Sequence, residues 1–340
     1  MKLVSWVRED GTERGGSAAG EAEAGLRLGA LVLGGEAVVD LSTPPRRSGQ
    51  AHAAGFESMR ALMAAGDAGL AQAGERVERA AADGDVVERR HVRLKPPLGR
   101  PTLIRDFATM DTHMRNYMLL RARERARGAA DPEAQVEAER RAGKLDLPRN
   151  WLTVYAHHIG NPLNVIGPDD VLQRPRGVQE LDYELELAAV VGTTGRDLDP
   201  ETAERHIFGY TLMNDFTARD IQRAENKPAG KSKDFDGSYS LGPCIVTRDE
   251  IGDLGRMRLR VRLNGVPQSE DGAASMQIGF PQLLAYISRS TTVHAGEVFA
   301  SGTFANGCGF ELGRLLEDGD VIELEADGIG TLRNFVRAAA

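Results

Sequence analysis

The chain has 340 residues, a net charge of −8 and only two cysteines. An acidic chain with few aromatic residues argues against a nucleic-acid surface, and no run approaches the roughly 18 apolar residues of a membrane span. Cys244 and Cys308 have neither zinc-site spacing nor a disulfide framework. With no signal-peptide pattern at the start, we expect a soluble cytoplasmic protein that handles small molecules.

The first 97 residues are predicted to form a small, β-rich N-terminal domain. Short apolar runs at 2–7, 26–33 and 37–41 are divided by Gly-rich turns and indicate strands. A Gly-, Ala- and Glu-rich segment at 15–25 indicates a loop, and helical spacing over 56–82 predicts one or two helices. Pro96-Pro97 marks the boundary. Because no residue here indicates chemistry, we expect a role in packing or dimerisation.

The segment after this boundary contains the first candidate for chemistry. Asp106 ends a short apolar strand, and His113 follows seven residues later. A lone histidine is more often structural, but one close to a carboxylate can act as a general base near neutral pH. Residues 115–149 are dense in Arg, Glu and Ala and predict a solvated helix or a mobile lid over a bound anion. Residues 151–159 have a strand-like pattern.

The central stretch, residues 181–222, holds the most informative pattern. In LDYELELAAVVG, Glu184 and Glu186 are two residues apart on a predicted strand, so both carboxylates share one face while Leu185 and Leu187 share the other. Two like charges side by side repel, which favours a hard metal ion between them. Asp215 follows another apolar run and supplies a third oxygen. The alternative is a solvated face of an amphipathic strand.

The remaining chain predicts mostly strands with few helices. A Gly- and Pro-containing loop carries three lysines and can present a cation to an anionic substrate, or it is an ordinary surface loop. Asn264-Gly265 predicts a hairpin turn, and residues 281–290 predict a helix. The glycines of GTFANGCGFELG only superficially suggest a phosphate loop, since no βαβ unit surrounds them. Glu311 lies in that segment. The fold class is therefore α+β, mainly β.

Together these segments resemble the fumarylacetoacetate hydrolase family. The matching pieces run in family order from residue 105 to residue 334: RDFATMDTH, LDYELELAAVVG, GYTLMNDFTARDIQ, GKSKDF, SLGPCIVT, SGTFANGCGFELG and LEDGDVIELEADGIGTLRN. The N-terminal segment, with MKLVSWV and AVVDL, resembles the family's variable N-terminal domain. The resemblance implies a mixed β-roll catalytic domain over residues 98–340, usually a homodimer, around one divalent ion.

The resemblance also assigns roles to individual residues. The family's metal ligands match Asp106, Glu184, Glu186 and Asp215, an all-oxygen set that suits magnesium, manganese or calcium. His113 matches the histidine that activates water, and Glu311 matches the glutamate that orients it. The residues that hold the substrate and its oxyanion match Arg219, Gln222, Lys233 and Thr303. The pattern departs at Ala108 and Asn226, where family members often have aromatic residues. These departures bear on the identity of the substrate more than on the chemistry.

The resemblance implies a hydrolase that cleaves a C–C bond in a 1,3-diketone or acylpyruvate. His113 takes a proton from water, and Lys233, with Gln222, stabilises the oxyanion. The same family includes oxo-acid decarboxylases, isomerases and dehydratases, which need the metal but not an activated water. A non-enzymatic alternative is a catalytically silent binding protein that has the same fold.

Overall fold

The computed structural model describes residues 1–9, 25–43, 55–227 and 229–338. The loop predicted at 15–25 therefore lies, up to residue 24, outside the described residues. The strands are β1 (Lys2–Arg8), β2 (Arg27–Val32), β3 (Ala37–Asp40), β4 (Val87–Glu88), β5 (Val92–Lys95), β6 (Leu103–Phe107), β7 (His157–Gly160), β8 (Val165–Ile166), β9 (Val171–Gln173), β10 (Leu181–Asp182), β11 (Leu185–Val191), β12 (Ile207–Asp215), β13 (Thr217–Ala218), β14 (Tyr239–Thr247), β15 (Arg258–Leu263), β16 (Val266–Gly272), β17 (Glu297–Ala300), β18 (Val321–Ala326) and β19 (Gly330–Arg337). The helices are α1 (Met59–Asp83), α2 (Asp111–Ala126), α3 (Pro132–Arg141), α4 (Pro200–Arg205), α5 (Arg219–Glu225), α6 (Arg248–Ile251), α7 (Phe280–Ser288) and α8 (Gly309–Leu312).

A twelve-stranded mixed sheet forms the centre of the fold. Its main path runs β4-β3-β2-β1-β14-β12-β11-β17-β6-β7, with β5 paired to β1 and β8 paired to β14. The N-terminal strand β1 pairs antiparallel with β14, placing Lys2 opposite Val246. Strands from both sides of residue 97 thus share one sheet. The division into domains at residues 97 and 98 stays a prediction.

A smaller five-stranded sheet has the order β16-β15-β18-β19-β9, and its strand β19 lies against β14 of the large sheet. Strands β15 and β16 form the hairpin predicted at Asn264-Gly265. Both turn residues have positive φ angles, 53° and 76°, which is the backbone that an Asn-Gly hairpin turn requires. The hairpin prediction is confirmed.

The central strands of the large sheet are buried on both faces. Every residue of β11 is buried, and its side chains alternate between two apolar clusters. Leu187 and Ala189 belong to the first cluster, whereas Ala188 and Val190 belong to the second. Glu184, which directly precedes this strand, and Glu186, its second residue, follow the same alternation as Ala188, so they point to the face of the second cluster.

Helices α2 and α3 pack against each other around a small apolar cluster formed by Ala122, Ala126, Val136 and Leu145. Their arginine-rich outer faces remain exposed, which is the amphipathic arrangement expected of a charged helix on a protein surface. The helical prediction for residues 115–149 is confirmed over 115–126 and 132–141, whereas residues 142–149 are not helical. Helix α2 carries His113.

The structure confirms the sheet-dominated α+β class and corrects one local prediction. Residues 151–156 do not form the predicted strand, because the amides of Thr153 and Val154 both bond to the carbonyl of Asn150 at 2.9 Å in a tight turn, whereas residues 157–159 belong to β7. Strand pairing begins only at His157, where β7 pairs with β6. Across the described ranges, no helix has both the length and the apolarity needed to cross a membrane.

Candidate functional site

Four acidic side chains meet at one end of the large sheet, and we refer to them as the carboxylate cluster: Asp106, Glu184, Glu186 and Asp215. Asp106 lies near the end of β6, the two glutamates lie at the start of β11, and Asp215 ends β12. All four residues are 5% exposed or less. The alternative of a solvated strand face is therefore wrong for Glu184 and Glu186. Oxygen atoms of Glu184, Glu186 and Asp215 lie within 4.8 Å of one another.

Crowding of these carboxylates perturbs their protonation. Burial raises the pKa of Asp106 well above its ordinary value, and the charges of Glu186 and Asp215 raise it further. Burial likewise raises the pKa of Glu186, again with help from Asp215 and from Glu184. A site that holds several carboxylates out of water needs a cation to keep them ionised.

One such cation is Lys233. The sequence left open whether the loop that carries it is an ordinary surface loop, but the Lys233 side chain is buried. Its Nζ donates to Glu184 Oε2 at 2.6 Å and to Thr217 Oγ1 at 2.8 Å, and it also contacts Asp215 Oδ2. Although burial alone lowers the pKa of Lys233, the charges of Asp215 and Glu184 raise it above its ordinary value. Lys233 is therefore a fixed positive charge inside the cluster.

A single lysine leaves part of the cluster without partners. Asp106 Oδ1, Glu186 Oε1 and Asp215 Oδ1 are buried and have no hydrogen-bond donor among the described residues. Unpaired buried carboxylate oxygens are costly, and oxygen atoms of this kind are the ligands that hard divalent cations take. The residues present therefore fit a divalent metal ion.

Arg219, at the start of α5, is the second buried cation. Its Nε donates to Asp182 Oδ2 at 2.7 Å, its Nη2 donates to Glu184 Oε1 at 2.5 Å, and its Nη1 donates to Gln222 Oε1 at 3.0 Å. Burial alone raises the pKa of Glu184, but Lys233 and Arg219 outweigh burial and hold it below its ordinary value. Arg219 thus connects the carboxylate cluster to Gln222.

His113 and Glu311, 198 residues apart in the chain, meet beside this cluster. His113 Nδ1 lies 2.8 Å from Glu311 Oε2, and Asn116 donates to the other glutamate oxygen at 2.8 Å. Burial alone raises the pKa of Glu311, but the hydrogen bond from His113 contributes to holding it below its ordinary value. Cys308 Sγ lies 3.3 Å from Glu311 Oε2, and the backbone of Cys308 forms a β-bridge with Glu184, so the His113–Glu311 pair lies next to the carboxylate cluster.

A cavity of about 230 Å³ adjoins the site, and we refer to it as the cationic cavity. It is lined by Tyr117, Met118, Arg121, Arg125, Lys144, Gln222, Asn226 and Lys227. The Tyr117 ring lies 6.4 Å from that of His113, and Gln222 is the partner of Arg219. Arg121 pairs with Glu124 and Arg125 with Glu139, whereas Lys144 and Lys227 have no salt-bridge partner in the described parts of the chain. The cavity therefore has spare positive charge for an anion.

Thr303, predicted to line the substrate site, is 5% exposed and follows β17. The amide of its neighbour Gly302 donates to Glu186 Oε2 at 3.2 Å. Thus the structure brings the loop that carries Thr303 against the carboxylate cluster. The other predicted site residues lie at the same end of the large sheet: Asp106, His113, Glu184, Glu186, Asp215, Arg219, Gln222, Lys233 and Glu311.

Asp182 and His158 are among the site residues that the sequence-based assignment did not name. Asp182 is fully buried and accepts hydrogen bonds from Arg219 and from the amides of Gly309 and Phe310, at 2.7 and 3.1 Å respectively, so it fixes the start of α8 that carries Glu311. His158 lies 3.6 Å from Asp106. The only local feature of the sequence that could have pointed to His158 is the pair of adjacent histidines before Gly160. The position of His158 beside Asp106 depends on the pairing of β7 with β6.

Comparison with known proteins gives the family. The model of the fumarylacetoacetate hydrolase C-terminal domain matches residues 126–337. The oxaloacetate tautomerase YisK of Bacillus subtilis is 36% identical over 178 residues, which are 52% of this chain and 59% of that protein. The mitochondrial oxaloacetate tautomerase fahd2 of Xenopus laevis is 35% identical over 175 residues, or 51% of this chain and 55% of that protein. The chain thus matches little more than half the length of these relatives.

The solved structures extend the similarity to nearly the whole chain. The fumarylacetoacetate hydrolase of Exiguobacterium antarcticum is 27% identical with a TM-score of 0.67, covering 98% of this chain and 99% of that one. The family model covers well over half of the 340 residues, and these residues include three of the four members of the carboxylate cluster, Glu184, Glu186 and Asp215. The chain therefore belongs to the fumarylacetoacetate hydrolase family.

Proposed function

We propose that this protein is a divalent-metal-dependent hydrolase that cleaves a C–C bond in an acylpyruvate or another 1,3-dicarbonyl acid. The observation that carries the proposal is the contact of His113 with Glu311, beside a buried cluster of carboxylates in which three oxygens have no hydrogen-bond donor among the described residues. The contact supplies a positioned base, and the cluster supplies ligands for a metal.

The residues that would hold the metal are Asp106, Glu184, Glu186 and Asp215. Their all-oxygen character favours magnesium, with manganese and calcium as alternatives. When bound, such an ion supplies Lewis-acid polarisation of a substrate carbonyl.

The protein's own residues would carry the proton steps. With the proton of His113 on Nδ1 and donated to Glu311, Nε2 can accept a proton from water. Asn116 holds the second oxygen of Glu311 and so fixes the orientation of both side chains. The hydroxide formed from water adds to the carbonyl carbon, the C–C bond breaks, and the departing carbon takes a proton. Gln222, and Lys233 through its positive charge, would stabilise the oxyanion.

The cationic cavity supports an oxo-acid substrate. Four positively charged side chains line it, and two of them lack a salt-bridge partner among the described residues. A carboxylate at the far end of the substrate would offset this charge. We therefore infer a small-molecule substrate with a 2-oxo acid or diketone unit near His113 and a carboxylate in the cavity.

A second candidate is keto–enol tautomerisation of an oxaloacetate-like acid. The observation that favours it is the 35–36% identity to two proteins named oxaloacetate tautomerases. In this reaction His113 would move a proton between carbon and oxygen of the substrate, and no water would be consumed. The His113–Glu311 pair suits either reaction, because both begin with a proton transfer at a positioned base.

The proposal includes a homodimer in the cytoplasm, and both features rest on the family resemblance. Light scattering coupled to size-exclusion chromatography tests the first, and cell fractionation tests the second. A monomer, or recovery in the membrane or extracellular fraction, would contradict these parts.

The experiment that separates the candidates follows enol absorbance across a panel of acylpyruvates and oxaloacetate, with Mg²⁺ or Mn²⁺ and then with chelator. Hydrolysis predicts metal-dependent loss of absorbance with two carboxylic or ketonic fragments among the products. Tautomerisation predicts interconversion of enol and keto forms with the carbon skeleton intact. Fragments or tautomers formed equally fast with chelator would refute the metal-dependent account.

A further inference from the structure

His158 lies next to the carboxylate cluster, and the pairing of two strands in the large sheet fixes its position. On the antiparallel pair β6 and β7, His158 is directly opposite Asp106. Residues opposite each other in such a pair project from the same face of the sheet. His158 therefore points to the same side as Asp106, while its neighbour His157 points to the other side.

The distances place the imidazole within reach of the same metal. His158 Nε2 lies 3.6 Å from Asp106 Oδ2 and 3.9 Å from Asp215 Oδ2. Ligand atoms about 2.1 Å from a six-coordinate ion lie roughly 3 Å apart when adjacent and about 4.2 Å apart when opposite. Both measured separations fall inside that interval. The other oxygens of Asp106 and Asp215 are the buried ones without a donor in the described structure.

Other interactions of Nε2 are weak. The nearest hydroxyl, that of Tyr239, is 3.3 Å away, which is long for a hydrogen bond from a hydroxyl group. Neither carboxylate is close enough to form a hydrogen bond with Nε2 as the side chains stand. The imidazole side chain is only 22% exposed, so it is held beside the cluster rather than extended into solvent.

We propose that His158 contributes a nitrogen ligand to the metal held by the carboxylate cluster. The centre is then a mixed nitrogen and oxygen site instead of the all-oxygen site that the sequence indicates. Imidazole favours first-row transition metals, and their affinity rises from Mn²⁺ to Co²⁺. The centre should therefore prefer Mn²⁺ and Co²⁺ over Mg²⁺. This inference rests on the metal site of the proposed function.

Metal-binding calorimetry on the full chain tests the selectivity, using Mg²⁺, Mn²⁺ and Co²⁺ separately. The variant is His158→Gln, and the matched control is His157→Gln, on the same strand but on the opposite face, where its ring packs 4.9 Å from that of Phe107. We expect His158→Gln to weaken Co²⁺ binding on the order of tenfold or more and to leave Mg²⁺ binding nearly unchanged. Equal weakening of Co²⁺ binding by the two variants would overturn the inference.

Pulsed electron paramagnetic resonance of the Mn²⁺-loaded wild-type protein gives a second readout, which does not depend on enzymatic activity. A directly bound histidine predicts a ¹⁴N coupling, which should persist in His157→Gln. Mn²⁺ binding without nitrogen coupling would overturn the role of His158 but leave the metal site of the proposed function intact. No binding of any of the three ions would overturn both.

Discussion

Replacing Arg219 by methionine tests the electrostatic design of the site. The Arg219 side chain is 2% exposed and donates to both Asp182 and Glu184. Methionine keeps much of the apolar stem but removes the charge and all of the donors. Two buried carboxylates then lose a shared cation. We expect the free energy of unfolding to fall, because an uncompensated charge remains in a region that water does not reach.

The size of the loss follows from the partners that remain. Removing one member of a buried ion pair typically costs about 3–5 kcal/mol. Asp182 would still accept hydrogen bonds from the amides of Gly309 and Phe310, and Glu184 would still be bonded to Lys233. Both carboxylates therefore retain part of their compensation. We expect a loss at the lower end of the range, about 3 kcal/mol.

Urea unfolding in the presence of chelator measures this loss without a contribution from bound metal. The matched control is Arg223→Met on the same helix, where the side chain is 28% exposed and pairs with Glu124 and Glu180. More exposed pairs of this kind contribute about 0–1 kcal/mol. If Arg219→Met were no more destabilising than Arg223→Met, the buried network would not stabilise the fold as argued.

Three further predictions concern the surroundings of the cluster. The pKa of Glu311 is held below its ordinary value of 4.5, so its ionised form stabilises the fold above that pH and this contribution is lost as the pH falls through the lowered value. Glu311→Gln should therefore flatten the acid side of a stability–pH curve from urea unfolding; an unchanged curve would contradict this. Replacing Lys144 and Lys227 together by methionine should raise KM for a dicarboxylic substrate and leave kcat similar in steady-state assays; an unchanged KM would exclude the cationic cavity as a binding site. Burial raises the pKa of Cys308 and raises that of Cys244 to about 12, so neither thiol should react with a disulfide reagent at pH 8 before unfolding, and rapid labelling of the native protein would refute this.

Local periodicity was enough to predict the faces of the central strand. Alternation alone places Glu184 and Glu186 on one side and Leu185 and Leu187 on the other, because the side-chain period of a strand is two. It does not show whether the acidic face is solvated or buried. That outcome depends on strands β6 and β12, which are remote in sequence and bring Asp106 and Asp215 to the same place.

The residue patterns alone did not predict which segments, distant in sequence, come into contact. His113 and Glu311 are 198 residues apart, and only the family resemblance suggested their pairing. Lys233 is in a loop whose composition is also typical of a surface segment, yet it is buried by contact with two carboxylates. His158 escaped notice because residues 151–159 resembled one continuous strand, whereas a turn at Asn150 delays strand pairing until His157 and sets the register that places His158 opposite Asp106.

The most direct test of the central claim compares His113→Gln with wild type, using whichever substrate of the panel the wild-type protein converts. Loss of a general base is expected to reduce kcat by about 10²–10⁴-fold, while calorimetry should show metal binding close to that of wild type. His294→Gln, which changes an exposed histidine whose amide bonds to Glu297, serves as the control and should keep full activity. Wild-type turnover in His113→Gln would contradict the assignment of His113 as the base.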